Sequence, residues 1–369
     1  MDGRRSTAVP LERLDVSVYR VPTDQPAESD GTIVWDSTTL VLVEASGGGV
    51  TGLGYTYAAA ATAELIRNVL APVACGMDVM GNALIWSRLV AAVRNIGRPG
   101  VASMAISAVD VALWDLKARL FDVPLVTLLG AVRDAAPLYG SGGFTSYTES
   151  QLARQLADWV ADGIPRVKMK IGRDPAADPG RVAAARRAIG DSAELFVDAN
   201  GAYARKQALA MAERFVESRV SWFEEPVYYL DYEGLRLCRD HAPPTMEISV
   251  GEYGYDPPTF SAILRAGACD VLQADATRCE GITGLLVVDG LCESTSMPLS
   301  THCAPTLHLH PACALKRLRH VEYFHDHVRI ERMLFDGVPD PKDGALRPDL
   351  SRAGLGLDFK RGEAKRYAI

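Results

Sequence analysis

The chain has 369 residues, 48% apolar and 23% charged, with a formal net charge of −7, a profile that excludes fibrous and disordered classes. Nucleic acids and membrane surfaces demand clustered Lys and Arg; no such basic run occurs, so the expected partner is a small molecule. No apolar stretch approaches the about 18 residues that span a bilayer, and Arg4 and Arg5 have no apolar segment behind them, which predicts a cytoplasmic protein.

From Leu11 to Tyr57 the pattern is strand-like, with LDVSVYRV and TTLVLVEA as apolar or alternating runs and GGGVTGLG as turn signals. Between the two runs lies a polar loop containing TDQPAESDGT. Helical patterning follows in ATAELIRNVLAPV and ASMAISAVDVALWDLKARLF, where apolar residues recur at three- and four-residue steps. Strands then helices make an α+β unit over residues 1–130.

Beyond it the rhythm changes. Short β-rich segments centre near Leu138, Val167, Phe196, Phe223, Ser249, Leu272, Leu299 and Glu322, at intervals of 23 to 29 residues, and most intervals read as helices. Eight such units over residues 131–340 are what an α/β barrel requires. The Gly- and Pro-rich remainder, residues 341–369, is expected to pack back on the first unit. The seven cysteines are scattered and never form C-x-x-C, so they read as small buried hydrophobes, with no disulfide framework or structural zinc site.

Ionisable residues fall where these strands end, which is where barrel enzymes place their sites. In RVKMKIG, Lys168 and Lys170 are two apart and share one side of a strand. Neighbouring ammonium groups depress each other's pKa, one way to prepare a lysine base; alone, the pattern is more often a solvated strand edge. In ELFVDANG, Asp198 and Asn200 share a face; SWFEEPV offers Glu224 and Glu225 on opposite faces; EISVGE ends on Glu252. Single carboxylates usually serve salt bridges or caps. Three at matching places in successive units suit a hard cation such as Mg²⁺. Asp275 in DVLQADAT and His302 in PLSTHC can hydrogen-bond across adjacent strand ends. Glu322 in HVEYF could donate to a substrate carboxylate if its pKa is raised.

These residues resemble the enolase superfamily, and within it the mandelate racemase subgroup. K-M-K, D-A-N, E-E-P, G-E, D-A-T and T-H-C follow in the family's order, after the SAVDVALWDL helix and before G-L-G-L. The resemblance implies a modified (β/α)₇β barrel with an N-terminal α+β capping domain. It implies Asp198, Glu224 and Glu252 as Mg²⁺ ligands, and selects Glu224 over Glu225, which spacing leaves open. Lys170 becomes one base and His302, paired with Asp275, the second acid/base. Glu322 would hydrogen-bond the intermediate, Lys168 would help neutralise it and Asn200 would lie near the metal. The resemblance also implies the superfamily's use of a Lys or His base with Mg²⁺ to stabilise an ene-diolate.

Within the polar loop, Thr23, Asp24, Glu28, Ser29 and Asp30 could bind hydroxyls, which points to a sugar acid and to dehydration; a solvated loop touching nothing is the competing reading. Asp24 and Tyr55 stand as substrate contacts, although for Tyr19, Trp35, Tyr55 and Tyr57 the cap's core is the safer reading. Racemisation or epimerisation of a 2-hydroxy acid is the alternative outcome. A catalytically dead binding barrel would lack a ligand or base, and none is lacking. By analogy with other capped barrels a homo-oligomer is expected.

Overall fold

Alternation in LDVSVYRV and TTLVLVEA produces an antiparallel sheet of β1 (Arg13–Pro22), β4 (Ser37–Gly47) and β5 (Val50–Tyr57) in the order β1-β4-β5. The polar loop contributes the small ladder of β2 (Glu28–Ser29) and β3 (Val34–Trp35). The computed structural model describes residues 8–24 and 27–369. The expectation built on Arg4 and Arg5 therefore lies outside the described residues, as do Gln25 and Pro26 of the loop. Among the described residues no helix is long and apolar enough to cross a membrane.

The long helix Val101–Leu120 lies across β5, and two glycines set how closely. A Cβ at Gly52 would stand 2.3 Å from Leu116 N, and one at Gly54 would stand 2.2 Å from Ala108 O. The period-two glycines on the strand and the alanines at helical spacing thus bring the two backbones together.

The expected eight strands then appear: β6 (Ala136–Gly142), β7 (Arg166–Lys170), β8 (Glu194–Asp198), β9 (Val220–Glu224), β10 (Glu247–Val250), β11 (Val271–Ala274), β12 (Leu299–Thr301) and β13 (Leu318–Phe324). All pair in parallel with their neighbours, and β13 pairs with β6 to close the ring. Each is followed by a helix, the last being His325–Leu334. Tyr139, Phe196, Trp222 and Val271 form an apolar floor inside the barrel. Two residues on from Phe196 and Trp222 come Asp198 and Glu224, one layer nearer the mouth on the same side of their strands.

The C-terminal tail returns to the first unit through Leu355 N, which donates to Asp115 Oδ1 at 2.6 Å, through Arg361 on Glu44, and through Ile369 N on Val18 O. Its earlier part pairs with the barrel instead, Ala345–Leu346 lying antiparallel to β6. All seven cysteines are free; six are buried and Cys75 is exposed.

Candidate active site

Strand register places the carboxylates side by side: Lys170 is opposite Asp198 in the β7–β8 ladder, and Asp198 opposite Glu224 in the β8–β9 ladder. Oxygens of Asp198, Glu224 and Glu252 lie within 4.8 Å of one another, and all three residues are buried. Glu252 Oε2 is buried with no satisfied hydrogen bond among the described residues, and His302 Nε2 stands 3.0 Å away. Three buried carboxylates with an open lone pair form a hard, oxygen-only donor set of the kind Mg²⁺ takes. Burial and the Asp198 charge raise Glu224 to about 8, and a bound cation would reverse that shift. Glu225 adopts φ 38° and leaves its buried Oε1 unpartnered, so Glu224 is the neighbour that joins Asp198 and Glu252.

The lysines behave differently from the expectation of mutual pKa depression. Lys170 Nζ is 2.5 Å from Asp198 Oδ2, while Lys168 Nζ contacts Glu224 at 2.6 Å and Glu322 at 2.8 Å. Burial pulls both pKa values down, but the surrounding carboxylates outweigh it, Asp198 foremost for Lys170 and Glu224 for Lys168, so both are raised. Glu322 is corrected likewise. Burial alone would raise it, yet Lys168 and His302 hold it well below the usual carboxylate range, so it accepts from Lys168 Nζ and Cys303 N rather than donating.

His302 and Asp275 meet as anticipated, Nδ1 to Oδ2 at 2.8 Å. Thr277 N donates to Asp275 Oδ1 at 2.7 Å, which fixes the carboxylate that orients the imidazole. Asn200 sits beside the cluster, its backbone N–H donating to Asp198 Oδ1 at 2.9 Å.

A cavity of about 350 Å³ opens over this set, lined by Lys170, Asn200, Glu252, Asp275 and His302 from the barrel. Its other wall comes from the cap and the start of the last helix, with Asp30, Trp35, Thr38, Tyr57, Asp326 and His327 among its residues. Asp24 is not on it: the side chain bonds His325 Nε2 at 2.9 Å and faces an adjoining groove. Tyr55 is not on it either, being fully buried with its hydroxyl on Glu331 Oε1 at 2.7 Å. Both substrate-contact expectations are therefore corrected; Asp30 in the same loop and Tyr57 in the same strand reach the cavity instead. Of the remaining loop candidates, Ser29 bonds Thr145, Thr23 bonds Asp36 O, and Glu28 is buried behind the wall. Arg278 was missed by sequence reasoning. It lies 3.7 Å from Asp275 and 3.8 Å from Glu252, and its position three residues beyond Asp275 was the available signal.

Comparison with known proteins fits this geometry. Residues 151–364 match the enolase C-terminal domain-like family, and residues 14–130 match the N-terminal domain of mandelate racemase and muconate lactonizing enzyme. The chain belongs to the mandelate racemase/muconate lactonizing enzyme family. A member-like protein from Rubrobacter xylanophilus superposes with a TM-score of 0.95 at 56% identity, covering 98% of this chain and 100% of that one. The family relative 3,6-anhydro-alpha-L-galactonate cycloisomerase of Streptomyces coelicolor is 31% identical, over 95% of this chain and 98% of its own. L-talarate/galactarate dehydratase of Salmonella typhimurium, solved with Mg and L-lyxarohydroxamate, superposes with a TM-score of 0.89 at 28% identity, covering 100% of this chain and 96% of that one. Enolase-superfamily chemistry on an acid is thus the coarse function of this enzyme.

Proposed function

We propose that this enzyme removes the proton α to the carboxylate of a sugar acid and then expels a β-hydroxyl as water. The observation that carries the reading is the approach of two separately held proton carriers to one carboxylate cluster: Lys170 at Asp198 and His302 at Glu252. Relatives that act on sugar acids, some as dehydratases and one solved with Mg and a ligand, support it.

Asp198, Glu224 and Glu252 would hold the Mg²⁺. When bound, the cation supplies the positive charge that offsets the negative charge gathering on the substrate's carboxylate oxygens as the proton leaves. The chain's own groups do the rest. Lys170 takes the α-proton on one side as the neutral amine, the form that a cation held by Asp198 would favour by offsetting the carboxylate charge that raises its pKa. His302, locked by Asp275, returns a proton to the departing hydroxyl on the other side. Lys168, wedged between Glu224 and Glu322, sets a fixed positive charge beneath the site.

Incubation of the Mg-loaded enzyme with a panel of aldonic and aldaric acids tests the reading. Formation of 2-keto-3-deoxy acids is expected. Deuterium entering the α-position with no loss of water would replace dehydration by racemisation or epimerisation, and ring opening or closure without either would point to a cycloisomerase.

A further inference from the structure

The cavity is polarised along its length. Its cationic side chains, among the described residues, are Lys170, Arg278 and His302, all at the barrel mouth and all within 4 Å of Asp198, Glu252 or Asp275. His327, on the opposite wall, is a neutral imidazole: Nδ1 accepts from Ala304 N at 3.1 Å, the ring stacks on Tyr57 at 3.4 Å, and burial drives its pKa to about 3.

What the far wall offers is acceptors. Asp30 Oδ1 takes the N–H groups of Thr32 and Ile33 at 2.6 and 2.8 Å and the Thr32 hydroxyl at 3.1 Å, and no described residue donates to Oδ2. Asp326 is held by long bonds from Trp35 Nε1 at 3.3 Å and Thr38 Oγ1 at 3.4 Å. Arg329 reaches it at 3.3 Å from the adjoining groove and spends its shorter bond on Pro22 O. Behind this wall Glu28 is fully buried, neither oxygen taking a hydrogen bond from a donor among the described residues, and its carboxyl faces that of Asp326. Burial and the Asp326 charge raise it to about 10, so the wall already sheds one negative charge by keeping a proton. Gln25 and Pro26, the loop residues outside the described set, bring no charge.

We propose that, resting on the acid-sugar reading above, the substrate is a mono-acid: its single carboxylate lies at the strand-end cluster and its far end carries hydroxyls that donate to Asp30 and Asp326. A hydroxyl can donate to an ionised carboxylate, whereas a second carboxylate can only accept. A diacid would place that anion against two others, where Arg329, already paired with Asp326 at 3.3 Å, is the only cation among the described residues within 4 Å of either, which is how a site rejects the wrong ligand.

The test uses matched pairs, an aldonic acid and the aldaric acid of the same configuration, with the Mg-loaded enzyme. The aldonate is expected to have the higher kcat/KM by at least about 100-fold, and Asp326→Asn to narrow that ratio about tenfold. Calorimetric titration of Mg-loaded Lys170→Ala with both members reads binding without turnover, and selective binding of the mono-acid is expected. Selective binding with no turnover by the wild type would sink the dehydration reading and leave this inference standing. Equal or preferred use of the diacid, or binding of neither, would overturn the inference. An unchanged ratio in folded Asp326→Asn would overturn the role of Asp326; should that variant not fold, the wild-type ratio decides.

Discussion

At the barrel mouth Lys168, Lys170, Arg278 and His302 each stand within 4 Å of at least one carboxylate, whereas the cap side of the same cavity presents hydroxyls, aromatic rings and two carboxylates. The contrast teaches a division of labour. Rigid strands hold the charges whose spacing the reaction needs, since a misplaced charge in a buried site costs catalysis steeply. The cap, built from a sheet and a loop, supplies contacts that choose the molecule, and these can vary without disturbing the ionic lattice.

The sharpest way to break this division is to remove the proton carriers. Lys170→Ala and His302→Asn are each expected to lower turnover by about 10³-fold or more, with circular dichroism and melting temperature close to wild type. Near-normal activity in either would mean that the mouth does not hold the chemistry. Exhaustive chelation is expected to abolish turnover too, and Mg²⁺ at about 100 times its Kd should return roughly 2.7 kcal/mol of stability, read as a rise in melting temperature. Activity that survives chelation would dissolve the case for a cation at Asp198, Glu224 and Glu252.

The joint between cap and barrel allows a subtler test. Burial raises Glu331, which accepts from Tyr55 and Thr306, to about 7. A carboxyl whose folded pKa lies above its ordinary value of 4.5 keeps a proton that the unfolded chain releases. Folding therefore binds protons between those two values, and this group's contribution to stability falls as pH rises from about 4.5 to 7. Relative to Glu331→Gln, the wild type should lose up to about 3 kcal/mol across that window, measured by denaturant unfolding at pH 4.5 and 8. A constant difference between the two would show that Glu331 is ionised throughout. Smallest of all, Tyr55→Phe should cost about 1–2 kcal/mol of stability by stranding Glu331 Oε1, with KM unchanged. A large rise in KM instead would return Tyr55 to the substrate wall.

Period-two spacing and the recurrence of strand patterns were enough to place all eight barrel strands and to bring Asp198, Glu224, Glu252, Asp275 and His302 to the strand ends. Both signals are local, and the ring closure that follows from them leaves strand-end side chains little freedom to diverge. The pKa of Lys170 was not legible in the same way, because its direction depends on how far Asp198 and Glu252 stand across neighbouring strands, distances that no spacing in K-M-K encodes.

Sequence alone determined the barrel, the order of its charged strand ends and the family to which they point, because each rests on short-range periodicity repeated many times. Only the tertiary structure decided that Tyr57 and Asp30 face the cavity while Tyr55 and Asp24 do not, and that Arg278 and Asp326 complete its walls. The seating of cap on barrel rests on bonds such as Tyr55 to Glu331 and Thr56 to the Thr277 carbonyl, which join residues more than two hundred positions apart. Contacts of that range are selected by the packing of whole surfaces, and no local pattern in either segment announces its partner.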